Sequence, residues 1–450
     1  MAKISFGGIN KSLLFIILMS VCMVLNQYLY GFIYIECFYK MNIYQILYNA
    51  IIDKEKTDFP HHRLFDPFFS YLGVILCALF IPKGKKRDRD RDRDNSINEI
   101  IKDSTLAIKL IHNDVKKFIQ TQKGIIMFIA ILILWIIEEN LILIYVDIFQ
   151  DLDFWFFELI FISIIFSKYF IFKIYSHEIL GMAISIGVGS ILKIYNITIA
   201  FNSDDADKTL YSKYPIICCF IILYFFIIAA RSYVNTQLKV FMDLKFVSHR
   251  TLLIFYGLAG AIICLITGVI ISFVPCPFFM RNYVCNVDYG NKIYYDNIQN
   301  YFESWQNMLV RGIIIILGIV TFFFHKYYYT LIIKAYTPIH VIFSFPWQFF
   351  IEKTFLLIFT AIFFRDDLFT QEKQLEKFLL DISGDISSII GFFVYLEMIE
   401  LNFCMLNYNL KKNIIERGEK EYKEYNTSCD ISEKIKEEAI VSDSESDSED

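Results

Sequence analysis

The sequence predicts an all-α polytopic membrane protein, and three observations carry that prediction. Hydrophobic residues make up 56% of the 450, aromatic ones 18% and charged ones only 20%, where soluble domains run nearer half apolar and a quarter charged. The apolar excess is concentrated in blocks of about twenty residues, the helix length that crosses a hydrocarbon core roughly 30 Å thick. Lys and Arg collect in alternate inter-block segments, as they do in chains that keep their basic loops in the cytosol. The net charge of −5 owes much to the tail "SDSESDSED" and by itself points to no partner class.

Ten blocks are predicted to cross the membrane. The first, near 12–36, follows Lys3 and Lys11 and has no small-residue cleavage site, so it reads as a retained signal anchor. The second, 66–82, is the shortest. A polar stretch, 84–104, comes next with its repeated Arg-Asp dipeptide; it cannot bury a core and reads as a solvated linker. Residues 105–122 have the pattern of an amphipathic helix lying on the membrane. Further spans are predicted at 124–147, 153–175, 178–200, 214–232, 251–274, 308–329, 337–363 and 386–405.

Orientation is set by the basic residues. With an even number of spans, one set of segments carries Lys3 and Lys11, "KGKKRDRDRDRD", Lys168 and Lys173, Arg231 to Arg250, Lys326 and Lys334, and Lys411 and Lys412. The opposite loops, "QDLD", "NSDDAD" and "RDDLFTQEKQLEKF", are acidic or mixed. Both termini are therefore expected in the cytosol. The resulting organisation is 1–83, spans one and two with a luminal loop; 84–122, the charged linker and amphipathic segment; 123–250, spans three to six; 251–412, spans seven to ten with a luminal loop at 275–307; and 413–450, an acidic disordered tail. Cys276 and Cys285 both fall in that luminal loop and can bridge in an oxidising compartment. Ser442, Ser444, Ser446 and Ser448 stand beside acids in the tail, where phosphorylation is plausible chemistry.

Motifs that are absent narrow the function. The chain has no G-x-x-x-x-G-K-[ST] phosphate loop, no H-E-x-x-H and no G-x-S-x-G, so ATP-driven pumping, metalloprotease and esterase chemistry lack their signatures. An enzyme is not expected, nor a cofactor, nor a nucleic-acid partner. His61 and His62 form a lone pair in a loop and are not read as a metal site.

Several stretches carry a family resemblance. "FDPFFSYLGVILCALFIP", "FFELIFISIIFSKYFIFKIYSHEILGMAISIGVGSIL", "SYVNTQLKVFMDLKFVSHRTLLIFYGLAGAI" and "LIIKAYTPIHVIFS" resemble, in order and spacing, the solute carrier family 35-like branch of the drug/metabolite transporter superfamily. The resemblance implies two five-helix repeats of inverted topology around a central site reached alternately from each side. The Gly-Ala-Leu-Asn signature of GDP-mannose carriers is absent, so that substrate is not indicated. Secondary active transport of a small organic solute is therefore expected, across an endomembrane of Golgi, ER or vacuolar type, with a possible homodimer. One reading has a nucleotide-linked or phosphorylated solute exchanged; another has a cationic or zwitterionic solute exported against protons; a third is a receptor or scaffold that does not transport.

Candidate site residues are the polar groups within spans. Glu138, Glu139 and Asn140 interrupt "WIIEENLILIYV", where a carboxylate costs at least a few kcal/mol unless it faces a cavity or a partner. Lys193 in span five and Lys353 in span nine are candidate anion holders, each weighed against a structural role: snorkelling for Lys193, a buried pair with Glu352 for Lys353. Gln348 and Glu352 lie beyond Pro346, which is expected to interrupt span nine. Asn26 and Gln27 sit mid-span in the first helix and offer hydrogen bonds to a substrate or to a neighbouring helix. Glu397 and Glu400 are placed in span ten, away from the centre. Small residues at four-residue spacing, Gly181, Ser185 and Gly189, then Gly257 with Ala261 and Gly260 with Cys264, predict close helix packing.

Overall fold

The computed structural model describes residues 2–4, 11–33, 65–80, 122–148, 155–170, 174–202, 214–245, 247–273, 305–363, 372–401, 406–410 and 413. The linker 84–104, the amphipathic segment to 121, His61, His62, Cys276, Cys285 and the tail beyond 413 lie outside the described residues. The architecture is nearly all helical: α1 (Lys11–Ile33), α2 (Phe65–Phe80), α3 (Gln122–Ile148), α4 (Glu158–Tyr169), α5 (Ser176–Asn202), α6 (Tyr214–Asp243), α7 (His249–Phe273), α8 (Trp305–Ala335), α9 (Pro338–Ile342), α10 (Ser344–Phe363) and α11 (Glu372–Tyr395). Each predicted block holds a helix, the ninth holding two.

The described helices expose many large apolar side chains. Along α3, Ile126, Met127, Ile129, Ile133, Ile137 and Leu141 are exposed while Phe128, Ile131, Leu132, Trp135 and Glu138 are buried. A helix that shows isoleucine outward and a carboxylate inward is built for lipid. Five helices among the described residues are long and apolar enough to cross a membrane, with spans at Gly124–Leu141, Ile221–Asp243, His249–Thr267, Ile315–Ala335 and Phe378–Tyr395. The chain is an all-α integral membrane protein.

The boundaries differ from expectation in four places. α6 runs to Asp243 rather than stopping near 232, because nothing in "ARSYVNTQLKVFMD" breaks a helix. Arg231, expected to mark a cytosolic loop, is therefore mid-helix. Lys326 is likewise inside α8, which continues to Ala335. α4 has only 12 residues, about 18 Å of rise, short of a bilayer core. Span ten lies upstream of its expected position: α11 ends at Tyr395, and Glu397 and Glu400 are outside it. Glu397 takes φ 60, with Met398 N–H donating to Phe393 O at 2.9 Å and Glu397 N–H to Val394 O at 3.1 Å. That is a Schellman stop, and it ends the helix before the glutamates.

Span nine breaks at Phe343, three residues before the proline held responsible. Pro346 has no N–H to give Ile342 and its ring would strike that carbonyl. The helix therefore ends at Ile342 and restarts at Ser344, which puts Pro346 in a first turn where it is tolerated. Ser20 Oγ on α1 donates to Ser344 O at 3.1 Å, so the break is covered by a neighbour.

Two strands were not anticipated. Ala2–Ile4 pairs antiparallel with Ile399–Leu401, in register Ala2↔Leu401, Lys3↔Glu400 and Ile4↔Ile399. The segments before α1 and after α11 thus lie side by side.

Packing tracks the small residues. α5 lies along α11, α2 along α7, and α1 along α8. At the first contact a Cβ on Gly181 would meet Gly391 O at 2.6 Å and Tyr395 N at 2.8 Å, and Ser185 Oγ donates to Ser388 O at 3.1 Å. At the second, a Cβ on Gly257 would meet Tyr71 O at 2.7 Å. The remaining principal pairings are α4 with α6, α1 with α10, α8 with α2, α3 with α6, α10 with α11 and α7 with α3.

Because its Cβ would strike the backbone of α5, Gly391→Ala should lose about 1–3 kcal/mol and melt earlier in detergent. Gly187, with nothing within 4 Å of an added Cβ, is the control: Gly187→Ala should melt like the wild type. Equal melting of the two would refute the close-contact reading.

Candidate functional site

Glu138 and Glu139 are helix neighbours, so their side chains leave α3 about 100° apart. Both directions lead into the bundle, because α3 is flanked by α6 and α7. Each glutamate finds a different cation.

Glu139 meets Lys326 of α8 in a direct ion pair, and Tyr256 of α7 donates its hydroxyl to the other carboxylate oxygen. Trp135, one turn back on α3, donates Nε1–H to Glu139 Oε1 at 2.8 Å. The Lys326 ammonium lies over the rings of Phe322 at 5.3 Å, Tyr256 at 5.5 Å and Tyr329 at 5.6 Å from the centroids. The rings support one another. Trp135 packs on Tyr256 at 4.2 Å and on Tyr329 at 5.7 Å, while Tyr71 of α2 meets Tyr256 edge-on at 5.3 Å. Each such pair adds roughly 0.5–1.5 kcal/mol beyond area burial.

Glu138 points to Arg231 of α6, and more loosely. Arg231 Nε lies 4.0 Å from Glu138 Oε2 and 3.8 Å from Glu158 Oε1 of α4. Both oxygens of Glu138 are buried and have no hydrogen-bond partner among the described residues. The guanidinium also stacks over Phe345, 4.5 Å from the ring centroid, two residues past the break in span nine. One turn further along α6, Asn235 accepts a hydrogen bond from the Tyr329 hydroxyl. The two halves of the cluster are therefore joined through Tyr329. His325, also buried, is the chain neighbour of Lys326 on α8.

Among the described residues, three carboxylates of this cluster meet two cations, and Glu138 shares its guanidinium with Glu158. Desolvation opposes a bare charge on a carboxylate so placed in a low-dielectric interior.

The other candidates separate from this centre. Asn140 turns back on its own helix, donating to Ile136 O at 2.7 Å, with Tyr71 Oη at 3.4 Å. Asn26 donates to Gly318 O at 2.8 Å and Thr321 Oγ1 at 3.2 Å on α8, the helix–helix alternative rather than a free substrate donor. Gln27 and Lys193 belong to α1 and α5, their side chains outside the described residues. Lys353, weighed as an anion holder or as a buried partner of Glu352, binds Asp385 of α11 at 2.8 Å, since α11 packs against α10. Glu352 is half-buried on α10 and Gln348 is buried one turn before it. Glu397 meets His177 Nε2 at 3.1 Å, at the first turn of α5. Among the described residues no group of His, Cys, Asp and Glu could hold a metal ion.

Arg231, Lys326, Glu158, Tyr256 and Tyr329 were missed as site residues. The signal available was the absence of any helix breaker after Arg231 or Lys326, which makes both intramembrane charges that need partners.

No family model, curated protein or solved structure matches the chain. The fold and the cluster define it as a helical membrane protein with a buried charge network.

Removing one partner of a buried pair leaves a naked charge. Lys326→Met and Glu139→Gln should each cost about 3–5 kcal/mol, and the double variant should recover most of that loss. Thermal unfolding of the four proteins in one detergent measures it; strictly additive losses would mean the two side chains do not interact.

Proposed function

We propose that this protein is a secondary active transporter of a small organic solute, working by alternating access in an endomembrane and coupling to protons at Glu138. The observation that carries the reading is the setting of that carboxylate. Both its oxygens are buried without a hydrogen bond among the described residues, and its cation, at 4.0 Å, is shared. A membrane scaffold has no use for a carboxylate held so loosely, whereas a coupled carrier needs one that can exchange its cation.

The packing supports ten crossings in two five-helix halves, as the resemblance to the drug/metabolite transporters requires. With α9 and α10 counted together as the ninth crossing, exchanging each crossing with the one five places on relates most of the principal pairings to one another, the ninth–tenth contact having no comparable fourth–fifth counterpart. The fifth–tenth, second–seventh and fourth–ninth contacts are self-related. First–eighth exchanges with sixth–third, first–ninth with sixth–fourth, and second–eighth with seventh–third. Five crossings per half oblige the second half to be inverted. The β pairing of residues 2–4 with 399–401 supports an even number of crossings, with both ends on one side.

A cationic or zwitterionic solute exported against protons fits better than an exchanged nucleotide-linked anion. The described anion-holding candidate, Lys353, already has Asp385, and the ring faces around Lys326 repel an anion.

In proteoliposomes, a pH gradient should drive a small organic cation opposite to the proton flow. Glu138→Gln should keep solute–solute counterflow while losing the response to the gradient. Counterflow of a nucleotide-linked anion, indifferent to pH and to Glu138→Gln, would overturn the reading.

A further inference from the structure

The surroundings of Lys326 exceed what an ion pair needs. A structural lysine–glutamate pair between two helices requires hydrogen bonds to satisfy its remaining lone pairs and protons. Here the ammonium instead lies over three ring faces, Tyr256 of α7 with Phe322 and Tyr329 of its own helix, and is closed on the fourth side by Glu139. Ring faces arranged around a carboxylate are the chemistry that recognises an organic ammonium. The carboxylate is pre-oriented as well, since Trp135 and Tyr256 hold both its oxygens before any cation is counted. Nothing in that arrangement selects the side chain of a lysine over a free alkylammonium.

The neighbouring charges give Lys326 somewhere to go. Glu138 is the residue before Glu139 on α3, and its carboxylate carries no hydrogen bond among the described residues. Glu139 is the less enclosed of the two, its side chain 13% exposed against 2% for Glu138. The enclosed carboxylate can accept the lysine while the more open one receives a newcomer.

We propose that Tyr256, Phe322, Tyr329 and Glu139 form the binding site for a small primary or substituted ammonium solute, and that Lys326 is its tethered occupant, displaced toward Glu138 when the solute enters. The proposal rests on the transport reading for its purpose and deepens it by naming the substrate class. An anion is refused by the same site, because it would face three ring faces and a carboxylate. The walls belong to α3, α7 and α8, so occupancy by the solute or by the lysine changes the contacts among three helices at once. Moving a charge between two carboxylates therefore changes the packing that alternating access must alter.

The test is binding, not transport, so that the two readings fail separately. n-Butylammonium, which has the four carbons and the ammonium of a whole lysine side chain, is titrated calorimetrically into the purified full-length protein in detergent. Wild type should bind it weakly, Lys326→Ala about tenfold or more tightly, and Lys326→Ala with Glu139→Gln not at all. Lys326→Met, which refills the ring with an uncharged chain, should not bind. n-Butylammonium should also raise the melting temperature of Lys326→Ala more than that of wild type. If folded Lys326→Ala binds no better than wild type, Lys326 is an ordinary structural partner and the proposal falls. If Lys326→Ala yields no folded protein, the wild type decides: binding that Glu139→Gln removes upholds the site, and no binding at all overturns it. Binding without any transport in vesicles would sink the transport reading and leave the ammonium site standing.

Discussion

Charges placed among helices whose outer faces are apolar must find their partners inside the bundle. A single charged side chain at the membrane centre costs at least a few kcal/mol, and a buried pair recovers its desolvation only with good geometry and added hydrogen bonds. In this protein the condition is met by gathering the charges from four helices into one cluster. Glu138 and Glu139 of α3, Glu158 of α4, Arg231 of α6 and Lys326 of α8 share it, with Tyr256 of α7 supplying a hydrogen bond. The helices that bring these groups have few other positions open to them, because withdrawing any one strands a charge. The cluster is thus a constraint on the fold as much as a site within it.

Two kinds of helix contact divide the molecule. Where glycine and serine meet, at Gly181 against Gly391 and Gly257 against Tyr71, backbones approach until nothing larger fits. These contacts are smooth and uncharged, and they hold pairs of helices as units. Where α3, α6 and α8 meet, contact is made through charged and aromatic side chains with more than one available partner. In the proposed transporter, pairs of helices joined by polar contacts would supply the parts of a rocking mechanism. The break at Phe343 lies beside the cluster, since Phe345 underlies the Arg231 guanidinium.

The tight side of the cluster and the loose side differ in kind. Glu139 is held by a lysine, an indole and a phenol. Glu138, one residue away, has a guanidinium at 4.0 Å and no hydrogen bond among the described residues. Two identical side chains on adjacent positions take different roles because a helix turns about 100° between them and presents them to different neighbours.

The positions of most helices were legible in the sequence, because lipid imposes a length and an apolar composition that any reader can measure; the last helix was not, lying upstream at Glu372–Tyr395. Glu138 and Glu139 were legible as anomalies, since carboxylates stand out in "WIIEENLILIYV". The stripe of Gly181, Ser185 and Gly189 also announced close packing, with Gly181 and Ser185 in fact meeting Gly391 and Ser388. Arg231 and Lys326 were read as markers of cytosolic loop, because a basic residue at the edge of an apolar block looks the same whether the helix stops there or continues. Only the tertiary structure decided that. It extended α6 and α8 past those residues and paired Lys326 with Glu139 across 187 positions of chain. Local sequence determines where a helix can form in lipid; which buried charge meets which is settled by packing among helices far apart in the chain.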